Sequence, residues 1–304
     1  IPPGLGLIMG EVILYRGVTL RGTGSSTTGL VHGGGSQACI QCDTGVTNNN
    51  NIRISDLAIY GAGSTTTYGF AAHYCIKGCG ASNLNIYNCN DNLFLDRSYT
   101  FDIENVVSDS AIRHGLNTAD WTQGTARNCR FDNNGTHGVY MFDASTGGGQ
   151  NVLFTSCQFQ LNGQSGVHGE DIVSAEFLSC WFEGNNQDNG SYSDVKFTDN
   201  ADTAGKRFSF IGCYNTSTNS GGTGMSWIQV DRASVVNVIS CQRADSGANY
   251  DYALKMGANV GVLNVIGSPD LDANTASYSL NAAVKLVESA GPNSGLFNGT
   301  GLSP

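Results

Sequence analysis

The sequence is poor in charged residues and in proline, and it has no long apolar runs. Only 13% of its 304 residues are charged, about half of the roughly 25% usual in globular proteins. There are five prolines, and no apolar run reaches the roughly 18 residues that suggest a membrane span. The formal net charge is −10 and no basic stripe is present. These absences argue against membrane insertion and against a nucleic-acid partner.

The chain is instead rich in glycine, with 41 residues, and 40% of it is hydrophobic. Ala, Glu, Lys and Leu do not recur at helical spacing, so a helical bundle or coiled coil is not expected. The apolar residues, chiefly Val, Ile and Phe, are spread along the chain. They are numerous enough to build a large core, which argues against disorder.

A short pattern recurs along the chain: an apolar residue, any residue, a small residue or Asn, then Cys or another apolar residue. It ends at nine positions, which are 57, 89, 106, 129, 157, 180, 213, 241 and 268. The mean step is about 26 residues, and the intervening segments are rich in turn-forming Gly, Asn, Ser, Thr and Asp. A unit of two or three short strands cannot bury its inner face alone, so it must stack on its neighbours. The pattern predicts an all-β fold: a single right-handed parallel β-helix of about 9–10 coils.

Two segments carry a resemblance to a known superfamily. The opening Ile1-Pro2-Pro3-Gly4 followed by Gly17–Gly24, and the later Asn128-Cys129-Arg130-Phe131, resemble the pectate-lyase-like superfamily. Within it the chain is most similar to phage tailspike depolymerases. The resemblance implies a homotrimer that acts on polysaccharide without a cofactor, located in the virion as a tail spike or fibre, or secreted.

One domain is predicted over residues 1–304. Residues 1–50 are assigned to the first coils and loops, and 270–304 to the last coil and a C-terminal extension. The start of the chain does not have the features of a signal peptide. The Asp-rich cap expected before Ile1-Pro2-Pro3-Gly4 in the tailspike branch is missing, so we expect a trimmed N-terminus.

Nine of the ten cysteines fall into two groups, and the tenth, Cys89, ends another copy of the repeat. Five of them occupy the last place of the repeat and are predicted to be buried fillers; they are Cys129, Cys157, Cys180, Cys213 and Cys241. The other group consists of two closely spaced pairs, Cys39 with Cys42 and Cys75 with Cys79. These four suit one or two disulfides, and a metal site is the less favoured interpretation because few His or Cys residues surround them.

The first candidate site lies on the strand that follows the cysteine strand in each coil. If Val139, Val167, Val195 and Ile228 point inward, alternation turns another set outward in one column. That set is Asn117, Tyr140, His168, Lys196 and Gln229, with Phe142, Glu170 and Thr198 in the next column. His114 and His137 precede this face in successive coils. The proposed binding residues here are therefore Tyr140, Lys196, His137 and His114.

Two chemistries suit this face. Glu170 with Asp143 or Asp171 could catalyse glycoside hydrolysis. His168, Tyr140 or Lys196 could instead remove the proton next to a uronate carboxylate, which begins a lyase reaction. An ordinary hydrated outer face is the simplest alternative.

A row of six aspartates follows this strand in successive coils: Asp96, Asp120, Asp143, Asp171, Asp199 and Asp231. Turn capping is the favoured interpretation. Calcium binding is the alternative, although no specific motif supports Ca²⁺, and no other metal or cofactor is expected.

A second candidate groove lies after the cysteine column. Arg130, Gln158, Trp181, Tyr214 and Gln242 should point outward there, and exposed aromatic rings can stack on sugars. Glu183 would be the acid of this groove, with Asp132 nearby. Just before the cysteines, Thr155, Leu178, Ile211, Ile239 and Ile266 form an outward apolar stripe that predicts a lateral trimer interface. In that case Trp181 belongs to the interface.

The sequence thus predicts a polysaccharide depolymerase, and a glycoside hydrolase before a lyase. The acidic net charge slows the approach of a strongly anionic polymer, which favours the hydrolase. Paired Asp motifs followed by Gly-His-Gly and Arg-x-Lys, as in polygalacturonases, are not found. The alternatives are a non-catalytic glycan-binding spike or adhesin, and a secreted bacterial lyase or epimerase.

Overall fold

The computed structural model describes residues 1–8, 10–143, 151–199, 205–217, 225–245, 251–267, 271 and 276–289. They form an all-β, right-handed parallel solenoid of about nine turns, which confirms the predicted fold. The described part has a single 3₁₀ turn at Gly63–Thr65, and it contains no helix long and apolar enough to cross a membrane. Residues 290–304 of the predicted C-terminal extension lie outside the described residues.

The described strands are short, apart from two long ones near the C-terminal end. In chain order they are β1 (Gly4–Ile8), β2 (Val12–Leu14), β3 (Thr19–Arg21), β4 (Thr28–His32), β5 (Ile40–Cys42), β6 (Asn49–Asn50), β7 (Arg53–Tyr60), β8 (Tyr68–His73), β9 (Cys75–Lys77), β10 (Gly80–Tyr87), β11 (Asp91–Asp96), β12 (Asp102–Asp109), β13 (Leu116–Ala119), β14 (Thr125–Arg127) and β15 (Arg130–Asp132). The remainder are β16 (Val139–Phe142), β17 (Asn151–Thr155), β18 (Gln158–Gln160), β19 (Val167–Glu170), β20 (Ser174–Leu178), β21 (Trp181–Glu183), β22 (Val195–Thr198), β23 (Arg207–Ile211), β24 (Tyr214–Ser217), β25 (Ser226–Ile239), β26 (Gln242–Asp245), β27 (Tyr252–Ile266), β28 (Ala276–Leu280) and β29 (Lys285–Ser289).

Three parallel walls run along the solenoid. Wall A stacks β2, β5, β8, β11, β13, β16, β19 and β22 on the first halves of β25 and β27, and ends at β28. Wall B contains β14, β17, β20 and β23, and wall C contains β15, β18, β21, β24 and β26. The eight-residue strands β7, β10 and β12 contribute their first halves to wall B and their second halves to wall C.

The corner between walls B and C explains the small residue of the repeat. Nine residues at this corner have φ between +51° and +60°: Asp56, Asn83, Asn105, Asn128, Ser156, Ser179, Gly212, Ser240 and Gly267. Side chains with a Cβ rarely adopt this left-handed conformation, and Gly, Asn and Asp tolerate it best. The repeat therefore keeps a small or Asx residue at this corner because the backbone bends there.

The corner also corrects one predicted repeat. The pattern Ile86–Cys89 was aligned with the others, but the register pairs Leu84 with Leu57 and with Val106. The true repeat in this coil is Ala81–Leu84, with Asn83 at the corner. Cys89 belongs to a later bend, where Asn88 also has a left-handed backbone.

The interior is built from stacked columns. The five repeat cysteines are buried as predicted, and their thiols hydrogen-bond to backbone carbonyl oxygens. Phe154, Phe177 and Phe210 stack in successive coils at centroid distances of 5.1 and 5.0 Å. All ten cysteines are free thiols, and the Sγ atoms of Cys42 and Cys75 lie 3.5 Å apart.

A buried asparagine ladder lies at the end of wall C. The Nδ2 of Asn134 donates to Oδ1 of Asn162 at 2.9 Å, and Nδ2 of Asn162 donates to Oδ1 of Asn185 at 2.8 Å. Each side chain also satisfies backbone groups of its neighbours. These three asparagines are almost fully buried, so they belong to the core and not to the surface.

The predicted row of six aspartates is in fact a row of four. Backbone hydrogen bonds link Asp120, Asp143 and Asp171 to the ends of the next strands, and Asp199 continues the row. Asp96 is the cross-strand partner of Ala119, the residue before Asp120, so Asp96 lies one position before the row. Asp231 follows Val230, the partner of Phe197, so it is level with Thr198 and also lies one position before the row. Asp120 and Asp171 have φ of +59°, which supports the turn interpretation.

Candidate functional site

The register of wall A brings the first candidate residues together. Asn117, Tyr140, His168, Lys196 and Gln229 are successive cross-strand partners, and so are Phe142, Glu170 and Thr198. Val139, Val167, Val195 and Ile228 point into the core with no exposed surface. The register confirms the predicted columns, except that Asn117 is buried because its amide donates to Asp91. We call the outward surface around Tyr140, His168 and Lys196 the histidine face.

Four rings pack against one another on the histidine face. His114 stacks on Tyr140 with centroids 4.9 Å apart, and the parallel rings of His114 and His137 are 5.4 Å apart. His168 packs edge-on against His137 and Tyr140, at 4.7 and 5.7 Å. The four rings hold one another in place, and most of the area of the rings is buried.

A chain of polar contacts runs through the cluster. The Ser165 backbone N–H donates to Nδ1 of His137 at 3.2 Å. The Nε2 of His137 then lies 3.2 Å from Nδ1 of His168, and Nε2 of His168 lies 3.5 Å from Oε1 of Glu170. The Glu170 carboxylate is close enough to the Tyr140 phenol to raise its pKa.

Burial keeps these groups uncharged. It lowers the pKa of His137 to about 2, and the pKa values of His114 and His168 to about 4. The positive charge of Lys196 contributes to the lowered pKa of both His137 and His168. Burial and the nearby Glu170 carboxylate raise the pKa of Tyr140 well above its usual range. At neutral pH the imidazoles are neutral and the phenol keeps its proton.

An ion pair supports the histidine face, and the sequence analysis did not predict it. Asp91 is buried and accepts hydrogen bonds from the Arg113 guanidinium, the His114 backbone N–H and the Asn117 amide. The pairing raises the pKa of Arg113 and fixes the segment that carries His114. Asp91 is the first residue of β11, a wall-A strand without a central Val. The sequence around it does not indicate that Asp91 binds Arg113 and Asn117.

The remaining carboxylates proposed for this face are differently placed. Asp171 Oδ1 lies 3.9 Å from the ammonium of Lys206, a residue that is almost fully buried, and Asp199 lies 2.8 Å from the same ammonium. Asp143 follows Phe142, and its backbone N–H donates to the carbonyl oxygen of Glu170. Asp171 therefore belongs to a structural ion cluster, while the Asp143 backbone bonds to that of Glu170.

The second groove lies on wall C, and its columns also match the prediction. Arg130, Gln158, Trp181, Tyr214 and Gln242 are successive partners. The adjacent outward column runs through Tyr60, Tyr87, Asp109, Asp132, Gln160, Glu183 and Thr216. We call this surface the carboxylate face.

Asp132 is the most unusual group on the carboxylate face. It is buried beneath Arg130, whose guanidinium contacts its Oδ2 and remains half exposed. Burial raises the pKa of Asp132 to about 6; Arg130 opposes this rise, and Asp109 and Glu183 add to it. Glu183 accepts a hydrogen bond from the Gln160 amide at 2.9 Å.

Aromatic pairs flank these carboxylates on both sides. Tyr60 and Tyr87 stack with centroids 5.3 Å apart at 15°. Trp181, on the same strand as Glu183, packs edge-on against Tyr214 of the next coil at 5.9 Å and donates its indole N–H to the Thr216 hydroxyl. Acidic groups between aromatic platforms are the arrangement that a polymer of sugar rings needs.

Sequence reasoning missed Asp109 and the two tyrosines. Asp109 follows Val106 by three residues, as Asp132 follows Cys129, so the repeat could have revealed the pair. Tyr87 was hidden because the repeat in its coil was placed at Cys89. Among the described residues, no group of His, Cys, Asp and Glu side chains is arranged to hold a metal ion.

Comparison with known proteins gives a likeness of fold. No protein-family model matches the chain, and no curated protein sequence matches it. Among solved structures, the ORF18 protein of Geobacillus virus E2 aligns with a TM-score of 0.63 and 14% identity, over 88% of this chain and 51% of that one. The DFA-IIIase of Arthrobacter chlorophenolicus A6, without its lid, aligns with a TM-score of 0.63 and 8% identity, over 95% and 87%.

A phage protein is among the matches as well. The tailspike protein gp49 of Pseudomonas phage LKA1 aligns with a TM-score of 0.54 and 12% identity, over 91% of this chain and 52% of that one. The chain therefore spans about half the length of the two viral proteins. At these identities the likeness establishes the fold alone: the chain is a right-handed parallel β-helix, the fold it shares with these proteins.

Proposed function

We propose that the protein is a polysaccharide depolymerase that hydrolyses glycosidic bonds of a bacterial surface or extracellular glycan on the carboxylate face. The observation that carries this proposal is the pairing of Asp109 with Asp132 on adjacent coils, between two aromatic pairs. Glycosidases need two carboxyl groups with separated pKa values, and the raised pKa of Asp132 suits the proton donor.

Each group then has a role. Asp132 protonates the leaving oxygen, and Asp109 attacks the anomeric carbon as the nucleophile. The half-exposed Arg130 swings away from Asp132 when a sugar enters. Glu183 and Gln160 hold sugar hydroxyls, while Tyr60, Tyr87, Trp181 and Tyr214 stack on ring faces. Because neighbouring coils are about 4.8 Å apart, the two carboxyl groups suit the separation of about 5–5.5 Å found in retaining enzymes.

The comparisons support a viral location for the protein, and they do not specify the reaction. One neighbour is named a tailspike protein and another comes from a virus. A virion tail location and a homotrimer are parts of this proposal. The stripe of Leu178, Ile211 and Ile239 is half-buried in the single chain, and Ile266 is 41% exposed, so a lateral partner would cover it. Replacing Ile211 with Asp should then release monomers in sedimentation experiments.

Mass spectrometry of glycan fragments tests the proposed reaction. The protein is incubated with a panel of bacterial surface and algal polysaccharides, and hydrolysis adds one water to each cleaved bond. We expect Asp132→Asn and Asp109→Asn to abolish these fragments, and Glu176→Gln, on the exposed side of wall B, to keep them. Unchanged hydrolysis by Asp132→Asn would overturn the proposal. Binding without any cleavage would instead indicate an adhesin.

A further inference from the structure

We propose that Lys206 and Asp199 condense into an internal amide bond, with Asp171 as the group that transfers the proton. The folded chain would thereby acquire a covalent cross-link between two of its own side chains, formed without a cofactor or a second enzyme. The proposal concerns the covalent structure of the chain, so it does not depend on the proposed hydrolysis.

The reacting pair is buried where one coil passes from wall A to wall B. Asp199 follows β22, the wall-A strand, and Lys206 precedes β23, the wall-B strand. Nζ of Lys206 lies 2.8 Å from Oδ1 of Asp199, and both side chains are 2% exposed. Phe197 and Phe208, two residues away from the pair along each strand, stack in the core at a centroid distance of 4.0 Å. The ammonium and the carboxylate are therefore enclosed with little access to water.

The ammonium of Lys206 is poorly satisfied for a buried cation. Within the described part of the chain, no contact of its Nζ has hydrogen-bond geometry, and this includes the 2.8 Å approach to Asp199. A buried ion pair offsets its desolvation only when good hydrogen bonds accompany it. An amide carries no charge, so condensation removes both buried charges at once. A lysine in such a desolvated site is also a competent nucleophile.

Two further side chains are placed to assist the reaction. Asp171 lies one coil before Asp199, with its Oδ1 3.9 Å from the lysine Nζ, and is 29% exposed. Its backbone N–H donates to the carbonyl oxygen of Thr198, which holds it beside Asp199. On the other side, Nε of Arg232 lies 3.4 Å from Oδ2 of Asp199. Asp171 is therefore next to the nitrogen, and Arg232 is next to the oxygen on which negative charge develops.

The atoms balance as a condensation. One ammonium proton moves to Oδ1 of Asp199, which leaves a neutral amine facing a neutral carboxyl group. The nitrogen lone pair forms the bond to Cγ, and the C=O electron pair moves onto Oδ2 beside Arg232. Asp171 takes a second proton from the nitrogen and gives it to Oδ1. The C=O bond then re-forms as the Cγ–Oδ1 bond breaks and water leaves. The third proton stays on the amide nitrogen, and Asp171 is a carboxylate again.

The fold gives this pair an advantage that free groups lack. Groups held in contact react with effective molarities that reach about 10⁵–10⁸ M. Cγ of Asp199 is one bond from Oδ1, so Nζ is already close to the carbon that it attacks. Burial of both side chains also limits the water that would hydrolyse the amide. The condensation therefore becomes favourable only in the folded chain.

Intact-mass spectrometry of the purified, denatured chain tests the proposal. We expect the wild type to be one water lighter than its sequence requires, and its proteolysis to give a branched peptide that joins Lys206 to Asp199. Lys206→Arg should have the full mass. The matched control Lys77→Arg, at an exposed position, should still lack one water. The proposal is overturned if the wild type has the full mass, or if the branched peptide joins Lys206 to another residue.

The variant Asp199→Asn tests which oxygen is lost. Its side-chain amide would leave as ammonia, so we expect the mass deficit to change from one water to one ammonia. An unchanged deficit of one water would overturn the proposal, because the lost oxygen would then come from elsewhere.

The variant Asp171→Asn tests the proton transfer, since it keeps both reacting groups. Cross-link formation is followed by mass in protein newly made by cell-free translation, and circular dichroism establishes that the variant folds. We expect the cross-link to form about 100-fold more slowly than in the wild type. The exposed control Asp188→Asn should form it at the wild-type rate. A folded Asp171→Asn that cross-links at the wild-type rate would contradict the role given to Asp171.

Discussion

Asp109 and Asp132 are cross-strand partners on adjacent coils of wall C, and the deeper of the two, Asp132, lies beneath the side chain of Arg130. The half-buried Asp109 is closer to solvent, while Asp132 is 1% exposed. Two identical side chains therefore occupy different environments, and that of Asp132 favours its protonated form. This difference is the physical basis of the proposed hydrolysis.

Replacing Asp132 with Asn should stabilise the protein at neutral pH while abolishing hydrolysis. The pKa of Asp132 is about 6 in the folded chain, against an ordinary 3.8, so the folded state binds more protons between these values. The wild type therefore loses stability as the pH rises from about 4 to 6, by on the order of 2–3 kcal/mol. Asn removes this loss. Calorimetric melting from pH 4 to 8 measures it.

The exposed Asp188 offers the matched control for that change. Asp188→Asn should leave the pH profile of the melting temperature unaltered. An Asp132→Asn variant that melts below the wild type at pH 8 would contradict the environment assigned to Asp132.

The three histidines of the histidine face should make the fold sensitive to mild acid. Their folded-state pKa values, about 2 for His137 and about 4 for His114 and His168, lie below the ordinary 6.5. The unfolded chain therefore binds protons that the folded chain excludes, and stability present above pH 6.5 is lost as the pH falls toward 4. Three such groups outweigh the opposite effect of Asp132, so net stability should fall by several kcal/mol. Urea titrations at pH 7 and pH 4.5 measure the difference.

Proton NMR provides an independent check on these histidines. The imidazole signals of His114, His137 and His168 should show no titration step between pH 6 and 8. A step near pH 6.5 for any of the three would show that its ring is solvated and not buried.

Hydrolysis should proceed with retention of the anomeric configuration. Retaining enzymes hold their carboxyl groups about 5–5.5 Å apart and inverting enzymes about 6.5–9.5 Å apart. Asp109 and Asp132 are one coil apart, whereas Asp132 and Glu183 are two coils apart. NMR of the first-formed product distinguishes the cases. Inversion of the anomeric configuration would instead indicate that Glu183, and not Asp109, acts together with Asp132, as the general base.

Leu161 should be a site where a substitution stabilises the protein. Its backbone has φ of +52°, and its side chain is 42% exposed, so little burial offsets the strain. The corresponding residues of neighbouring coils are Asn133 and Gly184, both left-handed. Leu161→Asn should raise the free energy of unfolding by about 1 kcal/mol. Ile112→Asn, exposed but with an ordinary backbone, should give no gain in the same denaturation experiment.

The fold and the outward columns could be predicted because a β-strand repeats every two residues and a coil repeats at a recognisable corner. Alternation alone placed Tyr140, His168 and Lys196 side by side. Local similarity misled at Cys89, since Asn88-Cys89 imitates the corner pattern while the chain bends at Asn83. The hydrogen-bond chain through His137 and the ion pair of Asp91 with Arg113 depend on loop geometry, which the periodic pattern does not encode.

The reactivity of the buried thiols toward a labelling reagent reports local opening of the solenoid. Nearly every coil carries one cysteine that a thiol reagent can reach only when that coil separates from its neighbours. In a solenoid each coil contacts only adjacent coils, so separation spreads along the axis from the weakest point. The order in which these thiols are labelled under mild denaturant would therefore identify the end from which the solenoid unfolds. The thiols to follow are Cys89, Cys129, Cys157, Cys180, Cys213 and Cys241.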